Sequence, residues 1–225
     1  YGVSNEKTAL AITIANREKA LLQDLDYENG YSLYVGIPFC PSICLYCSFG
    51  SHPLERWTKR VDEYLDTLCK ELTFIREQMG ARKLTTVYIG GGTPTTLEPE
   101  QLRRLLSHIQ ETFDFTWVKE YTVEAGRPDS ITREKLQVMK EFPVTRISVN
   151  PQTMNQKTLD VIGRKHTVED TINIFHMARE LEFDNINMDL IIGLPGEGKE
   201  EVAHTLQEVE KLHPDSLTIH SLALK

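Results

Sequence analysis

The sequence predicts an α/β protein, an incomplete (β/α)6 TIM-like barrel built on a parallel sheet. Three observations carry this reading. Six short strand-like runs alternate with helical patterns along the 225 residues, as parallel strands joined by right-handed crossovers require. Polar or unusual residues gather at the carboxyl end of each of those strands, which is the functional face of a barrel. The first β/α turn lacks the G-x-G-x-x-G pattern that a doubly wound nucleotide-binding sheet places there.

Taken in order, residues 6–24 read as an amphipathic lead-in helix, so 1–30 is assigned to a lead-in and linker and 31–225 to the core domain. Leu33 to Ile37 is a strand running into a cysteine loop. Residues 55–79 form a long helix ended by Gly80, followed by a buried strand at Thr86-Val87-Tyr88-Ile89 and the run Gly90-Gly91-Gly92-Thr93-Pro94. A helix over 98–113 begins with Pro99 in its first turn, where a missing N–H costs nothing. Strand 120–125, helix 132–141, strand 145–149 and helices at 155–162 and 168–182 come next. Strand 186–192 ends at Gly193-Leu194-Pro195-Gly196, and helix 199–212 and strand 216–222 complete the pattern.

Composition narrows the function classes. The net charge of −8 argues against a general nucleic-acid binder, and no apolar run approaches the roughly 20 residues of a membrane span. Arg103-Arg104 and Arg164-Lys165-His166 read as solvated helix ends or a local anion site. Four cysteines, three of them in one loop, do not make a secreted disulfide framework and fit a reducing cytoplasm. The chain opens on Tyr1-Gly2 and stops at Lys225 with no closing helix, which predicts a fragment of a longer protein.

The chemistry centres on Cys40, Cys44 and Cys47, spaced C-x3-C-x2-C. Iron–sulfur clusters are normally closed by four cysteines. Three thiolates would hold three irons of a four-iron cubane and leave the fourth open to a small molecule. Zinc is the rival reading, but it wants four ligands, and His52 is the nearest candidate for the fourth. Cys69 sits beside Leu65, Leu68 and Leu72 on the long helix and reads as core, while His108, His176 and His204 read as structural or surface residues.

The cysteine loop with Tyr46 before its third cysteine, together with Gly90-Gly91-Gly92-Thr93-Pro94, resembles the radical S-adenosylmethionine (SAM) superfamily. Tyr34-x-x-Ile37-Pro38-Phe39-Cys40 and Asp189-Leu190-Ile191-Ile192-Gly193-Leu194-Pro195 resemble its oxygen-independent coproporphyrinogen III oxidase (coproporphyrinogen dehydrogenase) family. The resemblance implies a [4Fe-4S] cluster whose open iron chelates SAM, and one-electron cleavage to a 5′-deoxyadenosyl radical. That radical would begin the oxidative decarboxylation of coproporphyrinogen III to protoporphyrinogen IX in heme biosynthesis. It further implies a reduced electron donor such as flavodoxin or ferredoxin, and a tetrapyrrole partner, coproporphyrinogen III or heme.

The same resemblance distributes the SAM contacts. Gly91 and Gly92, lacking β-carbons, would let backbone groups approach the methionine amino group with Thr93 alongside, although a tight strand-to-helix turn would need glycine too. Arg164 offers a planar fork for the methionine carboxylate, against the alternative of a solvated arginine. Glu124 and Asp189, at strand ends facing one mouth, would accept bonds from ribose hydroxyls or an ammonium; helix capping is the alternative for Glu124. Gln152 and Tyr34 match further cofactor contacts, Ala223 a backbone contact near the adenine, and Tyr46 an adenine contact. For both tyrosines ordinary packing is the other reading.

Three positions depart from the oxidase pattern. Phe49 stands where the oxidase has a further cysteine, Gly36 where its motif has histidine, and Asn150-Pro151-Gln152 where it has Gly-Val-Gln. A heme chaperone relative and heme-degrading relatives share the three-cysteine loop ending in Phe. Substrate identity is therefore open between a dehydrogenase and a heme chaperone.

Overall fold

Six strands lie side by side in chain order in a computed structural model, which describes residues 2–23, 25–26 and 28–222. They are β1 (Gly30–Ile37), β2 (Lys83–Gly91), β3 (Glu120–Glu124), β4 (Arg146–Ser148), β5 (Ile186–Ile192) and β6 (Ser216–Ser221). Every neighbouring pair is parallel, and among the described residues no pairing joins β6 back to β1. The fold is thus a six-strand parallel sheet open at both edges, as the alternation of patterns predicts.

The principal helices, all but the first, bury side chains against this sheet and its loops. They are α1 (Asn5–Gln23), α2 (Val61–Met79), α3 (Pro99–Thr112), α4 (Arg133–Lys140), α5 (Gln156–Val161), α6 (Val168–Glu180) and α7 (Lys199–Leu212). Side chains alternate faces along a strand, and the alternation here sorts by polarity. Leu33, Val35, Ile37, Val87, Ile89, Tyr121, Val123, Ile147, Met188 and Leu190 are buried in one core with Leu65, Leu72, Leu102, Leu106 and Leu136 of the helices. The alternate positions, among them Tyr34, Tyr88, Glu124, Ser148 and Asp189, fall on the inner face. Burying this many aliphatic side chains at about 1.5–3 kcal/mol each fixes the register, so the polar set has to point inward.

Several expectations are corrected. The helix expected over 55–79 is broken into a turn at Leu54–Trp57, a 3-10 turn at Thr58–Arg60, and α2. At the break Trp57 packs against the core, with its ring 5.3 Å from that of His52, and the Arg60 guanidinium sits 5.7 Å from the Trp57 ring. Tertiary contacts here override a continuous helical pattern. The first helix forms as expected, but it has no buried residue, and Leu10, Ile12, Leu21 and Leu22 are all exposed. Ile12 and Leu22 lie well off the line of Leu10, Ile14 and Leu21, so the apolar positions spread around the helix instead of gathering on one face.

Cys69 is half-buried at the rim rather than in the core, and its carbonyl accepts a 2.8 Å bond from His108 Nε2, which ties α2 to α3. Arg103 and Arg104 are indeed surface residues, held in ion pairs with Glu100, Glu141 and Asp66. Arg164 and His166 are not solvated, however: they are 7% and 1% exposed. Among the described residues no helix is long and apolar enough to cross a membrane.

Candidate cofactor site

The carboxyl ends of the strands and the loops that follow them enclose a cavity of about 650 Å³. That lies within the ~300–1,000 Å³ typical of ligand sites. Twelve residues singled out by the sequence line it: Tyr34, Cys40, Cys44, Tyr46, Cys47, Gly91, Gly92, Thr93, Glu124, Gln152, Arg164 and Asp189. Ala223 lies outside the described residues. Its neighbour Leu222 lines the cavity, and the Leu222 N–H donates to the Ile192 carbonyl.

The cysteine loop is fastened from several sides. Phe39–Cys40 pairs in parallel with His52–Pro53, a ribbon the sequence reading did not foresee. The Leu45 N–H donates to the Ile162 carbonyl at 3.0 Å, and Ser42 Oγ donates to the Gly163 carbonyl at 3.1 Å. Cys40 Sγ lies 3.4 Å from Thr93 Oγ1. His52 is turned toward Trp57 and does not line the cavity with the thiols. Among the described residues no three His, Cys, Asp or Glu side chains converge closely enough to hold a single metal ion. Zinc, which needs four such ligands at about 2.0–2.3 Å, gains no support from this geometry.

The glycine run explains itself by space. A β-carbon on Gly92 would come within 2.6 Å of the Phe39 carbonyl oxygen and 3.0 Å of Cys40 Sγ; on Gly91, at φ +104°, it would meet the Ile37 backbone at 2.9 Å. These glycines let β2 and the cysteine loop touch, and the Gly92 N–H donates to the Ile37 carbonyl at 2.7 Å. The close approach is therefore to the cysteine loop's own backbone as well as to the cavity.

Opposite the loop stand the strand-end acids. Tyr88 Oη donates to Glu124 Oε1 at 2.5 Å, and its ring stacks on Tyr34 at 5.8 Å. Glu124 caps no helix; the first turn of α4 is capped by Thr132. Burial, offset partly by the Tyr88 bond and reinforced by Asp189, raises the Glu124 carboxyl above the ordinary range. Burial, and then the Glu124 charge, raises the Tyr88 phenol. Asp189 is half-buried and accepts a 2.6 Å bond from Asn187 Nδ2.

Gln152 is held at φ +70°, rare for a residue with a side chain, by bonds from its N–H to Asp189 and from the Ile191 N–H to its carbonyl. Its Oε1 is buried without a partner. Arg164 Nη1 donates to the Asn150 carbonyl at 2.6 Å and the Gly126 carbonyl at 3.3 Å, and Nη2 to Tyr46 Oη at 3.2 Å. Its Nε is likewise buried and unpartnered. Buried orphan polar atoms are uncommon. Both residues line the cavity, and each carries a polar atom that the protein leaves unsatisfied. Burial pushes the Tyr46 phenol up to about 12, so it meets Arg164 as a neutral group.

Sequence reasoning missed Tyr88 and Arg127. Tyr88 reads in the sequence only as part of a buried strand, although its alternation with Val87 and Ile89 puts it inward. Arg127 left no motif: it stands in the β3 loop, three residues after Glu124. Its guanidinium reaches Cys44 Sγ at 3.3 Å and Asp129 Oδ2 at 2.9 Å. Burial alone would raise the Asp129 carboxyl, but the Arg127 bonds and charge hold it below its ordinary value.

Residues 34–209 match the Radical SAM superfamily. The chain belongs to that superfamily. Within it, the chain falls in the oxygen-independent coproporphyrinogen III oxidase-like family. It is 45% identical over its whole length to the oxygen-independent coproporphyrinogen-III oxidase-like protein HemZ of Bacillus subtilis, covering 46% of that protein. To the heme chaperone HemW of the same organism it is 37% identical over 86% of its length, covering 51% of that protein. The structure of coproporphyrinogen III oxidase (HemN) from Escherichia coli, a radical SAM enzyme, superposes with a TM-score of 0.80 at 32% identity. That match covers 91% of this chain and 47% of the other. The radical SAM chain therefore spans about half the length of the curated relatives it matches.

Proposed function

We propose that this chain is the radical SAM core of a coproporphyrinogen dehydrogenase, converting coproporphyrinogen III to protoporphyrinogen IX without oxygen. The observation that carries the reading is the meeting, in one cavity, of three cysteines with the two residues whose buried polar atoms are orphaned, Arg164 and Gln152. Cys40, Cys44 and Cys47 would hold a [4Fe-4S] cluster, and SAM would lie against the remaining wall. Bound together, these groups supply one-electron chemistry able to remove hydrogen from an unactivated carbon.

The chain's own residues bind and orient. Arg164 would pair with the methionine carboxylate, and Gln152 with the backbone at Gly91, Gly92 and Thr93 would take the ammonium. Glu124, held by Tyr88, and Asp189, held by Asn187, accept from ribose hydroxyls. Tyr34 would add a further cofactor contact, Tyr46 would contact the adenine, and Ala223 would offer a backbone contact near it. A reduced flavodoxin or ferredoxin would deliver the electron, and the free thiols fit a cytoplasmic setting.

A second reading has its own support. The 37% identity to a heme chaperone, together with exposed Phe49 lining the cavity, favours a protein that keeps the cluster and carries heme. The test is 5′-deoxyadenosine release by mass spectrometry from anaerobically reconstituted full-length protein with reductant, comparing coproporphyrinogen III and heme. Stimulation by coproporphyrinogen with protoporphyrinogen appearing supports the dehydrogenase. Heme bound without any tetrapyrrole-dependent release overturns it in favour of the chaperone.

A further inference from the structure

The Arg127 side chain is only 4% exposed, and every N–H it carries has an acceptor. Nε donates to Asp129 Oδ1 at 3.0 Å, and Nη2 to Asp129 Oδ2 at 2.9 Å and Ser42 Oγ at 3.0 Å. Nη1 donates to the Ser42 carbonyl at 3.2 Å and Cys44 Sγ at 3.3 Å. A guanidinium has five N–H donors in a fixed fork, so this one is saturated and has nothing left for a ligand.

We infer that Arg127 is a positioning residue that holds the Cys44 sulfur and raises the reduction potential of the proposed cluster, with Asp129 setting how much positive charge that sulfur feels. The inference rests on the cluster reading given above. On reduction the cluster gains one electron from an external reductant and its negative charge grows on iron and sulfur. A cationic N–H donor at one sulfur stabilises that added charge, and sulfur hydrogen bonds, local charge and exposure are what set such potentials. Asp129 opposes it from the other end of the same guanidinium. His166, whose Nδ1 is 3.9 Å from Asp129 Oδ1, is pushed down to about 4 by burial and then Arg164, and adds no charge at pH 7.

A guanidinium that merely fastened the loop through Ser42 would make no such prediction about sign. The experiment is an anaerobic potentiometric titration, followed by electron paramagnetic resonance, on reconstituted full-length protein, wild type against Arg127→Gln and Asp129→Asn. Iron content and melting temperature are measured on each. Arg127→Gln should shift the midpoint negative by about tenfold in the reduced-to-oxidised ratio, or about 59 mV for a one-electron couple. Asp129→Asn, which leaves Arg127 in place and uncompensated, should shift it positive. Arg127→Lys should recover part of the loss. If Arg127→Gln fails to load iron, the Asp129→Asn shift decides alone. Unchanged midpoints, or both variants shifting in one direction, overturn the inference. Wild-type protein that takes up no cluster overturns the underlying cofactor reading instead.

Discussion

Arg127 and Arg164 are both buried at the rim of one cavity, yet they are connected in opposite ways. Arg127 is closed: all its donors go to the protein, and a carboxylate neutralises it. Arg164 is open: its acceptors are two backbone carbonyls and a phenol, no carboxylate hydrogen-bonds to it among the described residues, and Nε is unpaired. A buried cation with no carboxylate bonded to it is costly, and Asp129 acts on Arg164 only through its charge. Under the proposed function the methionine carboxylate is the anion that would pair with Arg164. The saturated arginine braces the cysteine loop, and under the proposed function the unsaturated one would meet the ligand.

The severest way to break the comparison is to remove the sulfur Arg127 faces. Cys44→Ala leaves that N–H without its acceptor and the loop with two of its three thiols. Reconstituted protein should then lose the cluster iron and its visible absorbance altogether. Retention of full iron in Cys40→Ala, Cys44→Ala and Cys47→Ala alike would sink the three-thiolate reading.

The next test separates the two arginines by what each one holds. Arg164→Ala should load iron normally but bind SAM more weakly by roughly ten- to a hundredfold, since a hydrogen bond to a charged group contributes about 1.5–3 kcal/mol. Surface Arg103→Ala, which breaks only ion pairs with Glu100 and Glu141, should bind SAM as wild type does. Equilibrium dialysis with radiolabelled SAM measures both. Equal affinities in the two variants would remove Arg164 from the site.

The contrast also marks how far the sequence could be read. All six strands and helices α2 to α7 follow from hydrophobic period and turn residues, because the core is continuous and leaves little freedom in register. The cysteine triplet and Gly91-Gly92-Thr93 are legible as short motifs whose spacing itself carries geometry. Arg164 was legible only through family resemblance, because an arginine beside lysine looks solvated until the loops fold over it. Arg127 was not legible at all. Its acceptors, Ser42 and Cys44, stand more than 80 residues away in the chain, and no local pattern encodes a meeting of that range. The break in the helix at Trp57–Arg60 escaped because Trp57 turns toward the core, a tertiary contact the helical pattern does not carry.

A milder perturbation reads the electrostatic setting around Arg164. His166 is pushed down to about 4, first by burial and then by Arg164, and neither ring nitrogen has a partner. The unfolded chain protonates near 6.5. Between about pH 6.5 and 4 the unfolded state therefore binds more protons than the folded one, and stability falls as pH falls. Above that window both states are neutral and His166 contributes no slope. The loss reaches the order of 2–3 kcal/mol by pH 4. In metal-free protein, His166→Phe should flatten the melting-temperature profile over this window and leave it unchanged at pH 7.5. An identical acid slope in both proteins would show that His166 is already protonated in the fold.

The smallest effect tests whether Tyr46 acts on the ligand directly or through Arg164. Family resemblance gave Tyr46 to the adenine, whereas the structure gives its hydroxyl to Arg164 Nη2 at 3.2 Å and its ring to the cluster formed by Leu159, Ile162 and Leu194. Tyr46→Phe keeps the ring and removes one neutral acceptor, a change worth about 0.5–1.5 kcal/mol. SAM affinity should fall only a few-fold. In an Arg164→Ala background the same change should do nothing further, because the group it orients is gone, and a double-mutant cycle reads that coupling. Full additivity would return Tyr46 to a contact of its own. Coupling would make it the third member of a relay in which phenol, guanidinium and the Asn150 carbonyl fix the orientation of the one donor left open.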